Sequence, residues 1–249
     1  LDHRETDLAV IKIDADGTVA WETDFVGPVG QDIAAAIDLT ADGRFVYALG
    51  RSSVPGFGNS DYAIVKFDAQ SGEIVWSVLY DGGDRGIDSP MDIAALPDGG
   101  VAATGGIDTP DEQRDFGTVR LDADGAVMWE RRYTGFGAFL FENDDARFVK
   151  ADADGNVIIS GNAAAGPTNI RTIKYDGQTG ATIWEAEYET SADDVVRGLA
   201  IAADGGAVVY GSDPFGIDRR WLLVKYDGAT GAELWRFLID PGFDEFFAS

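Results

Sequence analysis

Five tryptophans divide this chain at nearly equal intervals. They lie 55, 53, 55 and 51 residues apart, at Trp21, Trp76, Trp129, Trp184 and Trp235. Each one follows a hydrophobic run, a basic residue and a glycine-containing turn. Self-similarity with a period of about 50 residues is typical of repeat architectures. We therefore expect these tryptophans to be structural positions that hold the repeats together, and function to reside where the repeats differ.

Each repeat contains two hairpin patterns. Residues 61–68 read DYAIVKFD, a β-branched and aromatic run, and a short glycine turn leads into EIVWSVLY. This arrangement predicts a β-hairpin. A second hairpin is predicted around each Asp-Gly pair, such as Asp98-Gly99 in IAALPDGGVAAT. Four short strands per repeat and no helical periodicity predict an all-β fold, a β-propeller of four-stranded antiparallel blades.

The register of the repeats predicts where the blades begin and end. The chain is expected to form a single propeller domain over 1–249 that starts with a lone pair of outer strands, named c and d. The C-terminal segment can start a closing strand but cannot complete a hairpin. A propeller of five blades with an incomplete closing blade is therefore expected, and the alternative is a fragment of a larger propeller. The predicted ranges are 7–25 for the half-blade, 32–80, 88–133, 144–188 and 194–239 for complete blades, and 240–249 for the closing strand.

Two phrases carry a resemblance to known repeats. Residues 174–184, KYDGQTGATIW, and 225–235, KYDGATGAELW, resemble the Trp-docking repeat of pyrroloquinoline-quinone-type propellers. The whole period also resembles the bacterial secreted β-propeller repeats. The resemblance implies the fold and leaves the activity open, because one fold hosts many functions. Quinone-binding dehydrogenases of that superfamily need a vicinal cysteine pair, and this chain has no cysteine, so no pyrroloquinoline quinone is expected.

Charge restricts the partners. The chain has 44 acidic and 19 basic residues, a formal net charge of −25. Nucleic acids need a positive surface, so nucleic-acid binding is not expected. No run of 18 apolar residues is present, so membrane insertion is not expected either. An acidic surface favours solubility and cation binding, and the expected location is extracytoplasmic: secreted, periplasmic or at the cell surface. The oligomeric state is left open.

Four aspartates recur ten residues before an Asp-Gly turn, where each innermost strand is expected to begin. Such a circle of carboxylates could hold Ca²⁺ through oxygen ligands. The alternative is that each carboxylate accepts backbone N–H bonds and fixes the loop between blades. Calcium is the only cofactor that the sequence suggests. The four candidate metal ligands are Asp32, Asp88, Asp144 and Asp194.

Aromatic residues mark the connections that differ between repeats. Variable loops on a rigid scaffold are where binding usually resides, and exposed apolar side chains mark interaction sites. We expect these connections to bind a protein or a glycan; alternatively the rings plug the channel or cover missing blade surface. A sixth tryptophan, Trp221, is expected to pack between blades. The candidate binding residues are Phe136, Phe139, Phe141, Phe57 and Phe215.

Catalysis has few candidates. The single histidine is His3, which leaves no His-based triad. Paired carboxylates could still cleave glycosidic bonds from the channel, with candidates Asp88, Asp92, Asp144, Asp145 and Glu142. The sequence therefore favours a non-catalytic binding or structural scaffold. The alternatives are a glycoside hydrolase or lyase-type enzyme and a calcium-dependent lectin-like module.

Overall fold

A computed structural model describes residues 6–56, 58–83, 86–108, 114–135, 144–164, 167–215 and 218–240. Within these ranges every regular element is a β-strand. No helix in them is long and apolar enough to cross a membrane. The strands form one two-stranded and four four-stranded antiparallel sheets.

The sheets follow one another along the chain. The half-blade consists of β1 (Leu8–Ile13) and β2 (Val19–Phe25). Blade 1 consists of β3 (Asp32–Leu39), β4 (Phe45–Ser53), β5 (Ser60–Asp68) and β6 (Ile74–Tyr80). Blade 2 consists of β7 (Ser89–Ala95), β8 (Val101–Asp108), β9 (Arg114–Leu121) and β10 (Val127–Tyr133). Blade 3 consists of β11 (Asp145–Ala151), β12 (Val157–Ala164), β13 (Thr168–Tyr175) and β14 (Thr182–Tyr188). Blade 4 consists of β15 (Val195–Ile201), β16 (Ala207–Phe215), β17 (Asp218–Tyr226) and β18 (Glu233–Ile239).

Each blade is a meander in which strands a, b, c and d pair in chain order. The a strands β3, β7, β11 and β15 contact one another in sequence, so they are the innermost strands. Every a strand has a register shift after its second or third residue, for example between Ala34 and Ala36. Such bulges bend a strand and increase its twist. The predicted all-β propeller, beginning with a c–d pair, is confirmed.

The hydrophobic core lies between the sheets. Four clusters of buried side chains are present among the described residues, one at each junction of consecutive sheets. At the first junction, Leu8 and Val10 of the half-blade meet Val65 and Phe67 of blade 1. A blade therefore buries its faces against its two neighbours, as expected of stacked repeats.

Candidate functional site

The two faces of the arc differ in how uniform their connections are. All four a–b turns have five residues, and the c–d turns have five or six. These turns leave from one end of the strands, which we call the turn face. The d–a connections have six, eight, eleven and six residues, and the b–c connections six, five, three and two. They leave from the opposite end, which we call the variable face.

The turn face fastens each blade to the next through a tryptophan. The Nε1 atom of each tryptophan donates to a carbonyl in the c–d turn of the following blade. The four bonds are Trp21 to Ala69 (3.2 Å), Trp76 to Ala123 (3.0 Å), Trp129 to Gly177 (2.9 Å) and Trp184 to Gly228 (3.1 Å). In three of these junctions a lysine Nζ donates to the same carbonyl: Lys12, Lys66 and Lys174. The repeated tryptophans thus lie at blade junctions, where the sequence placed them.

A glycine in each receiving turn makes room for the tryptophan. Gly72 has a φ of +78°, and a Cβ there would lie 2.6 Å from the Trp21 ring. Gly231 has a φ of +71°, and a Cβ there would lie 2.8 Å from the Trp184 ring. Glycine is needed at these turns both for the left-handed backbone and for the close approach of the ring.

The repeated aspartates fasten the opposite ends of the strands. The backbone N–H of each donates to a carbonyl at the first residue of the preceding c strand, or two residues before it: on Thr6, Ser60, Arg114 and Thr168. Their carboxylates then accept bonds from the d–a connection, from Gly27 N, Gly82 N, Gly135 N and Thr190 Oγ1. This is the backbone-fixing role that the sequence left as one of two readings. The four carboxylates are Asp32, Asp88, Asp144 and Asp194, all buried.

One of these aspartates belongs to a carboxylate cluster. Oxygens of Asp61, Asp81 and Asp88 all lie within 4.8 Å of one another, the only such cluster of three metal-capable groups in the described ranges. Burial, and then the charges of Asp61 and Asp81, raise the pKa of Asp88 to about 7. Burial and the charge of Asp81 raise the pKa of Asp61 as well. A hard cation binds such oxygen ligands, so this cluster could hold Ca²⁺. Metal binding by the four repeated aspartates stays a prediction.

At two junctions the second oxygen of the repeated aspartate accepts a backbone N–H from the end of the b strand. The junction before blade 4 lacks this bond. The second oxygen of Asp144 accepts from Ala164 N (2.6 Å), at the end of the b strand. The matching residue in blade 4 is Pro214, which has no N–H to donate. Among the described residues, Oδ2 of Asp194 has no hydrogen-bond partner, and neither has Oδ1 of Asp213, although both residues are fully buried. Burial raises the pKa of Asp194 to about 6, and the charge of Asp213 adds to the rise.

The carboxylates proposed for catalysis are engaged by other groups. Asp92 Oδ2 accepts from Val149 N and forms an ion pair with Lys150 at 3.3 Å. Asp145 lies 3.7 Å from Arg114 and 3.9 Å from Arg147. The contacts of Asp92 and the pair of Asp145 with Arg114 join blade 2 to blade 3, whereas the pair of Asp145 with Arg147 lies within β11. Glu142 and His3 lie outside the described residues.

The aromatic binding candidates fall mostly outside the described ranges. Phe57, Phe136, Phe139 and Phe141 are not among the described residues, and Phe215 is placed only as the last residue of β16. Their role therefore stays a prediction. The exposed aromatic side chains that the structure does describe lie on the face of blade 4 that points away from blade 3.

The sequence did not predict that this face of blade 4 is exposed. Trp221 was expected to pack between blades, and its register is right because it pairs with Ile239 as Tyr62 pairs with Tyr80. The expectation of packing was wrong, since Trp221 is exposed.

Four antiparallel four-stranded blades and a leading half-blade, packed face to face about their a strands, define a protein of the β-propeller class. Comparison with protein families places it more narrowly. The profile of the family described as outer membrane protein assembly factor BamB matches residues 4–135, just over half of the chain. The chain belongs to that family, in agreement with the repeat resemblance seen in the sequence. No curated protein matches the chain.

Solved structures support the fold alone. The β-propeller domain of the trilobed protease from Pyrococcus furiosus, with its open velcro topology, is 11% identical and has a TM-score of 0.51; the match covers 82% of this chain and 57% of that one. An ulvan lyase of polysaccharide lyase family PL25 is 12% identical with a TM-score of 0.52, covering 95% of this chain and 63% of that one. The chain thus spans less than two thirds of the length of these relatives.

Proposed function

We propose that this chain is a non-catalytic extracytoplasmic scaffold that binds a protein partner on its variable face. The observation that carries the proposal is the contrast between the two faces. The turn face repeats the same turn lengths and the same tryptophan bonds in blade after blade, whereas the connections of the variable face range from two to eleven residues. Loops that vary on a rigid scaffold are typical of binding surfaces.

The family supports a protein as the partner. An assembly factor acts by contacting other proteins, and the family description names outer membrane protein assembly. It also supports an extracytoplasmic location. The acidic charge of the chain argues against a polyanion as the partner, because like charges repel each other and weaken binding. A glycan partner is the weaker alternative, since it rests on loop aromatics alone.

Site-specific photo-crosslinking in the cells that make the protein tests this proposal. A photoreactive residue replaces Pro55 or Ser191, both exposed on the variable face, or, as matched controls, Ala41 or Thr230 on the turn face. We expect protein adducts from the first pair and none from the second. Adducts from the turn face alone would contradict the proposal. Adducts to glycan instead of protein would support the lectin-like alternative.

The carboxylate cluster supports a second candidate function, cation binding. Burial, and then the charges of Asp61 and Asp81, keep the pKa of Asp88 high, and a divalent cation would offset the repulsion between these charges. We expect calcium to raise the Tm of chelator-treated protein and Asp81→Asn to lose most of that rise. Asp24→Asn, an exposed aspartate outside the cluster, is the control. An unchanged Tm on adding calcium would rule out the cluster as a calcium site.

The enzyme alternative is tested separately. If channel carboxylates cleave glycans, turnover of a polysaccharide panel should be lost in Asp88→Asn or Asp144→Asn while the chain remains folded. We expect no turnover in the parent chain, because Asp88 and Asp144 accept backbone N–H bonds and Asp92 pairs with Lys150. Turnover that depends on either aspartate would replace the scaffold proposal with a hydrolase or lyase.

A further inference from the structure

Blade 4 departs from the repeat at two neighbouring positions of its b strand. The first is the position opposite the repeated aspartate, which is small or apolar in the other blades and is a second aspartate in blade 4. The next residue donates its N–H to the repeated aspartate in blades 2 and 3, and in blade 4 it is Pro214, which has no N–H. Both changes make the surroundings of Asp194 more negative. The opposite residues in chain order are Ser52, Ile107, Ala163 and Asp213.

Asp194 and Asp213 are buried neighbours. Val195 pairs with Ser212, so the next residues of the two strands, Asp194 and Asp213, stand opposite each other. Side chains at opposite positions of an antiparallel pair have Cβ atoms about 5 Å apart, and like charges there are destabilising. Both aspartates are fully buried. Burial, and then the charge of Asp213, raise the pKa of Asp194, as expected of two carboxylates that share a site.

One oxygen of each carboxylate is anchored, and the other has no donor. Thr190 Oγ1 donates to Asp194 Oδ1 at 3.1 Å. Tyr188 Oη donates to Asp213 Oδ2 at 2.9 Å, and the Arg220 guanidinium pairs with the same oxygen at 2.7 Å. Among the described residues nothing donates to Asp194 Oδ2 or Asp213 Oδ1. The guanidinium balances one of the two negative charges, and the other is left on oxygens without donors.

An amide from blade 3 lies against this pair. Asn162 Nδ2 donates to the carbonyl oxygen of Asp194 at 2.8 Å, across the junction between the two blades. Asn162 is 7% exposed, and its Oδ1 has no donor within the described part of the chain. A buried acceptor without a donor costs about 1–3 kcal/mol. Three such oxygens therefore belong to one buried junction, and they come from Asp194, Asp213 and Asn162.

We propose that the junction between blades 3 and 4 binds a hard divalent cation, Ca²⁺, through Asp194 Oδ2, Asp213 Oδ1 and Asn162 Oδ1. Carboxylate and amide oxygens are ligands that Ca²⁺ takes in proteins, and water completes its shell. A water molecule alone would donate two hydrogen bonds and bring no charge, whereas a cation binds all three oxygens and offsets the charge. Since the ligands come from two blades, the cation fastens blade 3 to blade 4.

This site is separate from the carboxylate cluster at Asp88. The cluster lies between blades 1 and 2 and shares no ligand with the junction of blades 3 and 4. The charge of Arg220 beside Asp213 opposes a cation, so we expect this junction to be the weaker of the two sites. It accounts for the part of the calcium response that Asp81→Asn leaves. It needs no protein partner, so it does not rest on the scaffold proposal.

Calcium titration calorimetry of Asp81→Asn protein, in which the carboxylate cluster is disabled, tests the proposal. At about pH 8 the Asp194 carboxylate is charged. We expect this protein to bind calcium, and addition of Asp213→Asn or Asp194→Asn to abolish the binding, because each removes a ligand charge and keeps the side-chain shape. Asp193→Asn is the control, since Asp193 is exposed beside Asp194. It should bind calcium like Asp81→Asn alone.

Thermal unfolding in chelator separates a loss of binding from a loss of folding. Asp213→Asn ends the repulsion with Asp194 and supplies an amide donor opposite it, so its Tm in chelator should equal or exceed that of Asp81→Asn alone. Calcium should raise the Tm of Asp81→Asn protein and leave that of the Asp81→Asn, Asp213→Asn double variant unchanged. Asp81→Asn protein that binds no calcium, or binding that survives both Asp213→Asn and Asp194→Asn, would overturn the proposal.

Discussion

Blades 3 and 4 have nearly the same phrase and different surroundings. KYDGQTGATIW and KYDGATGAELW form the same c–d hairpin with the same register shift after the lysine. Trp184 is buried against Tyr226 of the next blade, whereas Trp235 is only partly buried and contacts the exposed Phe237 of its own strand. Local sequence therefore determines the hairpin, and the neighbouring blade determines whether its apolar face is buried. In a stacked repeat the stability of a blade comes largely from its interfaces.

Replacing Trp184 and Trp235 in turn should give the largest difference in stability between the two blades. Trp184→Ala leaves a cavity in the junction between blades 3 and 4 and frees the Gly228 carbonyl. We expect it to lower the free energy of unfolding by about 3–5 kcal/mol. Trp235→Ala removes a ring that is only partly buried and packs against Phe237, and it should cost less, about 1 kcal/mol. Urea denaturation at a concentration at which the chain is monomeric measures both. Equal losses would mean that Trp235 is covered.

The turn glycines give a smaller, matched difference. Gly17 and Gly231 both have a positive φ, +86° and +71°, so alanine costs about 1–2 kcal/mol of backbone strain at either. Only Gly231 lies under a tryptophan, where an added methyl group overpacks the junction and costs about 1–3 kcal/mol more. Thermal unfolding of Gly231→Ala and Gly17→Ala compares the two. A Gly17→Ala variant as unstable as Gly231→Ala would show that a side chain also packs over Gly17.

The junction before blade 4 should respond to pH. Burial raises the pKa of Asp194 to about 6, so its carboxylate binds a proton more tightly in the folded chain than in the unfolded chain. The associated stability is present below about pH 4 and is lost as pH rises through 6. Pro214→Ala restores an N–H opposite Asp194, as Ala164 provides for Asp144. This bond favours the charged carboxylate and lowers its pKa.

We therefore expect Pro214→Ala to reduce the stability lost between pH 5 and pH 8, by about 1 kcal/mol or less. Denaturant titrations at both pH values, in chelator, give the difference. Ala164→Pro is the reverse change, and it should make the junction before blade 3 lose more stability over the same interval. An unchanged pH dependence in both variants would mean that these N–H groups do not set the carboxylate pKa.

The sequence predicted the parts of this molecule that repeat. The intervals between tryptophans and between Asp-Gly turns located the strands, because a blade is a local unit with fixed turn lengths. The bonds of Trp21 and Trp76 to the following blade agree with their predicted place at the junctions. The repeated aspartates such as Asp32 could be narrowed to two roles, and the structure supports the backbone-fixing one.

The sequence could not predict what depends on a single junction. The convergence of Asp61 and Asp81 on Asp88 joins a c strand to both ends of the d–a connection that follows, and no spacing rule links these positions. The exposure of Trp221 depends on which sheet follows blade 4, which its own register does not encode. Such features arise from long-range packing, so they appear only when the blades are placed side by side.

Amide hydrogen exchange of two outer strands tests most directly whether a neighbouring blade determines the stability of a hairpin. β14 and β18 have the same position in their blades and each pairs with one strand, but only β14 is covered by a following blade. At a concentration at which the chain is monomeric, we expect β14 to exchange near the global unfolding rate and β18 to exchange at least about tenfold faster through local opening. Equal protection of the two strands would contradict the account.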